Sequence, residues 1–460
     1  MTNSVRKSIA TEAMIDFAVE VYQEHLEEAS FLYEQRLTLF DDPEVTWEDI
    51  HDFEERLEAH IDALVVGEDL ALDVCKQQTT EGDFGELHAA VRVFCRQNRK
   101  DLVLEVLEEL DPDDTESMQA FSDALKHEFP EDWLDDFFQM LPEDDQKTIP
   151  ILADLFGYRH MKEGTALLKI LADTPAGSLS KVIWSLGRLG DEGARGPLLK
   201  YLLHEDESVR STTALALLRL GEQKTIDNCL QEAPVQSWAL IPLGLGGNRS
   251  AVKVLLEQTR AGNAEGDCLM ALGLLGDVSA VDTLVAHLTN EDLAKAAATA
   301  LNLITGAELY EEVFIPEEID EDELFEEELE KFKQGEVPTR PDGEPFGTTI
   351  TRLSQKPEDW QGWWTENKSG FNPGIRYRNG KPYSPACLLE NLESEKSPHK
   401  VRQLACEELV IRYGIDFPFE TDMLVSQQKQ AIAKYADWIK ANGSRFQPGE
   451  WYFAGQLMHQ

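Results

Sequence analysis

The chain has 460 residues, 42% of them hydrophobic, and carries 87 acidic against 42 basic residues, a formal net charge of −45. That charge repels phosphate backbones and anionic lipid surfaces, which argues against nucleic acid or membrane as the main partner and for a protein partner that is basic or apolar. Cys75, Cys95, Cys229, Cys268, Cys387 and Cys406 show no metal-ligand spacing, no apolar run approaches about 18 residues and no signal-like segment opens the chain, so a soluble, cytoplasmic protein with reduced, buried thiols is expected.

Residues 8–40 carry Ile15, Val19, Tyr22, Leu26, Ala29 and Tyr33 at alternating spacings of four and three, one side of a long amphipathic helix that Pro43 interrupts. Thr46 then caps a second helix with Asp49 at its N3 position; Ile50, Phe53, Leu57, Ile61 and Leu64 form the apolar face and Gly67 ends it. Residues 1–67 therefore read as a helical hairpin that closes the N-terminal end of whatever follows. His25, His51 and His60 lie beside Glu55, Glu58 and Asp62, but a histidine packed at a helix interface accounts for the pattern and no metal site is assigned. Residues 68–147 stay helical with short acidic turns, as degenerate helix pairs.

From 148 to 307 the pattern turns regular. Gly157, Gly190, Gly221, Gly247, Gly276 and Gly306 recur at intervals of about 30 residues, and L-G-x-L-G-D occurs twice, at Leu186–Asp191 and Leu272–Asp277. The fifth, eighth and ninth residues after each glycine are mostly apolar, as in Val281, Leu284 and Val285, so each unit reads as a helix, a turn in which glycine supplies the left-handed backbone, and a second helix. The stretch Asp206–Gly221, with Val209, Arg210, Ala214 and Leu217 at fixed spacing, resembles HEAT repeats of the short kind. Such units bury their apolar faces only by stacking, so the expected fold class is all-α, an α-solenoid with an N-terminal helical hairpin and a C-terminal cap.

Residues 308–345 change character. Glu308 to Glu330 holds thirteen acidic and no basic residues, followed by Pro338, Pro341, Gly343 and Pro345, and reads as an acidic linker or insertion. Glu317, Glu318, Asp320 and Asp322 lack the spacing of a calcium loop. Residues 346–460 read as an aromatic-rich cap. Within it Trp360, Trp363, Trp364, Asn367, Arg376, Tyr377 and Arg378 form a candidate partner-binding surface, because tryptophan, tyrosine and arginine anchor interfaces; the competing reading is a cap whose aromatics bury themselves. Val401, Arg402, Ala405, Leu409 and Gly414 echo the repeat signature, so a HEAT-like helix recurs there.

The chain has no G-x-x-x-x-G-K-[ST], nucleophile elbow or H-E-x-x-H, so no catalytic residue, cofactor or metal is assigned and a non-enzymatic role is expected. His25–Arg36 (H-L-E-E-A-S-F-L-Y-E-Q-R) and Glu55–Leu64 (E-R-L-E-A-H-I-D-A-L) resemble the N-terminal signature of an uncharacterised bacterial HEAT-repeat family whose genes often sit in type VI secretion clusters. The W-W-x-x-N, G-I-R-Y-R-N-G-K-P and V-R-x-x-A-x-x-E-L segments between Trp363 and Leu409 resemble its C-terminal region; the acidic stretch Glu308–Glu330 departs from it. The resemblance implies a cytoplasmic scaffold or adaptor, an accessory to type VI secretion, that binds its partner through the solenoid face. The units also resemble those of phycobilin lyases, which implies as an alternative a small-molecule-binding or lyase-like protein using the C-terminal aromatic cluster.

Overall fold

The computed structural model describes residues 3–40, 42, 44–140, 146–262, 264–316, 332, 333, 339 and 345–458. Helix α1 (Asn3–Leu39) folds back on α2 (Ile50–Val66). In the turn between them the Thr46 N–H and hydroxyl donate to Asp49 and the Asp49 N–H donates to the Thr46 hydroxyl. The reciprocal bonds expected of a cap are made, yet the helix begins only after them, at Ile50. Helix α2 ends at Gly67 as expected, but the Gly67 backbone stays right-handed helical, and it is Glu68, at φ 47°, that turns the chain into α3 (Glu68–Glu81). Gly67 is needed for room, since a Cβ there would stand 2.5 Å from Ala71 and 2.7 Å from the Tyr22 ring.

Helices then alternate between two layers: α4 (Phe84–Arg96) and α5 (Lys100–Glu109), α6 (Thr115–Glu128) and α7 (Leu134–Met140), α8 (Thr148–Arg159) and α9 (Leu167–Ile170), α10 (Ala176–Leu189) and α11 (Arg195–Leu198), α12 (Glu207–Arg219) and α13 (Lys224–Glu232), α14 (Leu240–Gly246) and α15 (Arg249–Arg260), α16 (Gly266–Leu275) and α17 (Val281–His287), ending with α18 (Glu291–Thr305). The even-numbered members from α4 to α18 pack side by side as a ladder, each on the next, which makes the molecule an all-α solenoid. Leu186, Leu217, Leu243, Leu272 and Leu301 fill its core with no exposed surface.

Local sequence explains the joints. Asp83 and Glu86 form a complete capping box at the start of α4, and Asp206 and Asn290 cap α12 and α18. The aspartates that close the two L-G-x-L-G-D copies, Asp191 and Asp277, accept from the backbone N–H groups of Gly193 and Ser279 and so start the outer-layer turn. Gly190 and Gly276 are left-handed, with φ 68° and 70°, as the repeat pattern predicts. Two other glycines are not left-handed terminators: Gly157 lies inside α8, whose left-handed end is His160 at φ 50°, and Gly247 does end α14 but in an extended conformation, at φ −69°.

After α18, β1 (Tyr310–Pro316) pairs antiparallel with β2 (Gly347–Leu353), Val313 standing opposite Ile350. The first residues of the stretch 308–345, read from the sequence as an acidic linker or insertion, thus form one strand of a ribbon: β-branched and aromatic side chains at Val313, Phe314 and Ile315 suit a pleated ribbon despite the flanking charge. Most of the remaining insertion, including Glu317, Glu318, Asp320, Asp322, Pro338, Pro341 and Gly343, lies outside the described residues. The chain continues through α19 (Pro357–Asn367), the short hairpin β3 (Tyr377–Arg378) and β4 (Lys381–Pro382), α20 (Pro385–Glu393), α21 (His399–Tyr413), α22 (Val425–Asn442) and the hairpin β5 (Tyr452–Phe453) and β6 (Gln456–Leu457). Helix α21, the one with the repeat-like sequence, does not stack beyond α18 as a further unit; it lies across α12 and α14. A second core joins Tyr383, Leu388, Leu409, Tyr413 and Tyr435 of this region to Trp47 and Ile50 of the α1–α2 turn, so the C-terminal region spans the solenoid from its last helix back to its first.

Candidate interaction surface

Stacked repeats place the C-terminal ends of successive ladder helices along one edge, where each helix leaves carbonyls without an internal donor and a partial negative charge. The C-terminal region supplies those donors. Arg376 donates from Nε and Nη2 to the carbonyls of Leu275 and Leu274, at 3.0 and 2.7 Å, and Arg412 donates to those of Gly247 and Gly244, at 2.7 and 3.0 Å. The backbone N–H groups of Tyr377, Asn379 and Gly380 donate to Gly276, Leu303 and Ile304. Gly276 also permits the contact sterically, since a Cβ there would fall 2.1 Å from the Tyr377 carbonyl oxygen.

Bonds run the other way at α10 and α12. Arg188 reaches Glu407 at 2.7 Å and Glu420 at 2.5 Å; Arg219 reaches Glu407 at 2.9 Å and Asp416 at 3.0 Å. Burial by itself raises the Glu407 carboxyl, but Arg188 and Arg219 outweigh it and hold it down at about 2. Burial wins at Asp416 and Glu420, which are raised. His160, half-buried beside this cluster, is pushed down to about 3 by desolvation and then by Arg219 and Arg188. Further along the ladder His88 and His127 are also driven well below the ordinary histidine value, chiefly by burial, and neither ring nitrogen of His88 has a partner among the described residues. At the far end Arg36 pairs with Glu54 at 2.9 Å and donates to the Asp422 carbonyl at 2.7 Å, while Glu54 accepts from the Val425 N–H.

These ties decide the fate of the seven residues read as a partner-binding surface. Trp360 is buried with its indole N–H on the Ser354 carbonyl. Arg376 is fully buried between the Tyr383 and Trp451 rings; Arg378 is fully buried, bonded to Glu408 and Asn391; Tyr377 is buried against Phe371. These four offer no surface to a partner, because the guanidinium groups serve helix carbonyls and a buried carboxylate inside the same chain. Trp363 and Trp364 remain half-buried around Phe371, and Asn367 is exposed with its amide on the Trp363 carbonyl. In the N-terminal hairpin His25 and His60 meet at 3.0 Å, but Glu58 and Asp62 turn to Arg96. Among the described residues no group of three or more histidine, cysteine or carboxylate side chains is placed to hold a metal, and all six cysteines are free and buried.

A cleft of about 120 Å³ opens where α21 crosses the ladder. Trp184, Leu215 and Ile241, half-buried side chains from three consecutive ladder helices, form one wall; Lys400, Gln403 and Leu404 of α21 form the other, with Arg188, Arg219 and Glu407 at the floor. The sequence reading did not single these residues out. Their signal was the repeat register itself, which puts them on the ladder face turned away from the core. A larger cleft between α3, α4 and α5 is walled mainly by polar residues, and its Lys76 is paired with Glu105 at 2.8 Å.

A model of HEAT repeats matches residues 164–233, which covers the ladder from α9 to α13 and, of the cleft wall, Trp184 and Leu215. No curated protein matches the chain. HEAT repeats commonly bind proteins, so the match suggests a protein-interaction scaffold. Among the described residues no helix is long and apolar enough to cross a membrane.

Proposed function

We propose that this protein is a non-enzymatic scaffold or adaptor that holds a basic or apolar protein partner at the cleft between α21 and the ladder. The observation that carries this reading is the row of Trp184, Leu215 and Ile241, apolar side chains offered by consecutive units in a chain of net charge −45. An apolar anchor from the partner would fill the cleft, and the acidic surface would speed and orient its approach. A cytoplasmic accessory role beside a type VI secretion machine is the finer form of the proposal; it rests on the resemblance of the terminal segments alone.

The test is partner affinity before and after the double change Leu215→Glu and Ile241→Glu, with circular dichroism confirming that the helices persist. Loss of two anchors should weaken capture at least about tenfold, and rising salt should weaken it further if the partner is basic. An unchanged affinity would overturn the placement. The small-molecule reading, which uses the C-terminal aromatic cluster, has less behind it, because Trp360 and Tyr377 of that cluster are buried and Arg376 and Arg378 among them are spent on Leu274, Leu275 and Glu408.

A further inference from the structure

The ribbon of β1 and β2 raises a separate question. It has two strands, and among the described residues neither pairs with a third. A lone two-stranded ribbon is marginal in water. Here β2 rests against α18, whereas the principal neighbour of β1 is β2, so among the described residues the outer edge of β1 is the open one. Among the described residues no further backbone bond is made to that edge, and such an edge is the template on which another strand builds.

The faces of β1 differ. Glu311 is held by Arg352 at 3.1 Å, Lys356 at 3.2 Å and the Gln355 N–H at 3.1 Å. Tyr310, Glu312 and Phe314 alternate on the opposite face, with Tyr310 40% and Phe314 42% exposed. Edges this apolar are ordinarily blunted by charge, and the sequence from Glu308 to Glu330 holds thirteen acidic and no basic residues; of the described ones Glu308 pairs with Lys396 and Glu311 with Arg352 and Lys356, which leaves Glu312 as the carboxylate with no ion pair among the described residues. Like charge opposes pairing with a second copy of the chain, and the same field attracts a cationic strand.

We propose that the open edge of β1 accepts a third strand from a basic partner, an extended segment of the pattern apolar-x-Lys/Arg-x-apolar. Residues opposite one another on paired strands share a face. The two apolar residues would therefore stand beside Tyr310 and Phe314, and the cation beside Glu312. Main-chain bonds supply the binding energy and this alternation supplies the selectivity.

The experiment titrates the full chain with a fluorescent peptide containing Val-Thr-Lys-Thr-Val, and with a shuffled peptide of the same composition in which the alternation is lost. The patterned peptide should bind more tightly than the shuffled one and should slow amide hydrogen exchange across Glu312–Ile315. Phe314→Ser should weaken it about fivefold, and Glu312→Lys by at least as much. Equal binding of the shuffled peptide would reduce the effect to charge attraction and overturn the proposal. So would unchanged affinity in both variants, unprotected β1 amides, or dimerisation of the chain through β1 in place of peptide binding.

Discussion

Gly187 and Gly190 stand three residues apart in one repeated motif and answer two different demands. Gly190, like Gly276, ends its helix in the left-handed region; Gly187, like Gly273, stays helical and lets the next ladder helix approach. A Cβ on Gly273 would lie 2.7 Å from the Ala300 Cα, and one on Gly187 would lie 2.7 Å from the Ala216 Cβ. Gly157 belongs to this second kind, with the Trp184 ring 2.3 Å from where its Cβ would be. Helix propensity favours alanine over glycine by about 0.5–1 kcal/mol, while overpacking a tight contact costs about 1–3 kcal/mol. Gly273→Ala should therefore be net destabilising by about 1–2 kcal/mol. Gly362→Ala, in α19 with nothing within 4 Å, should instead be stabilising by up to about 1 kcal/mol. Urea midpoints of the two variants check the contrast, and equal shifts would deny the close-approach role.

At the scale of elements, the ladder helices and the C-terminal region complete each other's hydrogen bonding. Arg412 illustrates the dependence. Its guanidinium is fully buried and reaches carbonyls of α14 and of Tyr452 from two nitrogens, a fan that a single ammonium on a lysine stem does not reproduce. Arg412→Lys should lower stability by about 2–4 kcal/mol although the charge is kept. The loss should appear in denaturant unfolding and as faster amide exchange in the last turn of α14. If lysine serves as well as arginine, simple charge at the helix end explains the contact. The V-R-x-x-A signature around Arg402 shows the same limit on local reading: α21 has a repeat-like sequence and crosses the ladder rather than extending it, with Arg402 bonded to Leu392 and Gln428.

For the whole molecule, burial of titratable groups inside the joined regions sets an acid dependence. His88, His127 and His160 are held below the value of 6.5 that an unfolded chain would show, His160 at about 3. A base lowered on folding leaves stability intact above pH 6.5 and removes it as pH falls from 6.5 toward the folded value, because only the unfolded chain takes up the proton. Glu407 adds its loss at lower pH, below about 4.5 and toward 2, as the carboxylate held by two arginines is forced to protonate. Stability should accordingly begin to fall near pH 6.5, before carboxylates alone would require it. His160→Asn, which suits the left-handed backbone, should flatten the slope between pH 6 and 4 by about one proton, roughly 1.4 kcal/mol per pH unit. Urea midpoints across that range measure it, and an unaltered slope would mean that His160 protonates within the folded protein. The sequence by itself determined the stacking, because repeat contacts are between neighbours and their apolar period and capping residues are written locally in Leu186–Asp191 and Leu272–Asp277. It also held the choice between a buried and a presented aromatic cap, without the means to decide it. Only the tertiary structure decided that Arg376 spends itself on Leu274 and Leu275, a hundred residues away, and that α21 closes over α12 and α14. The reason is physical: a helix end advertises its unbonded carbonyls in every repeat, but which distant arginine reaches them depends on the path of the chain in space, and no local period encodes that path.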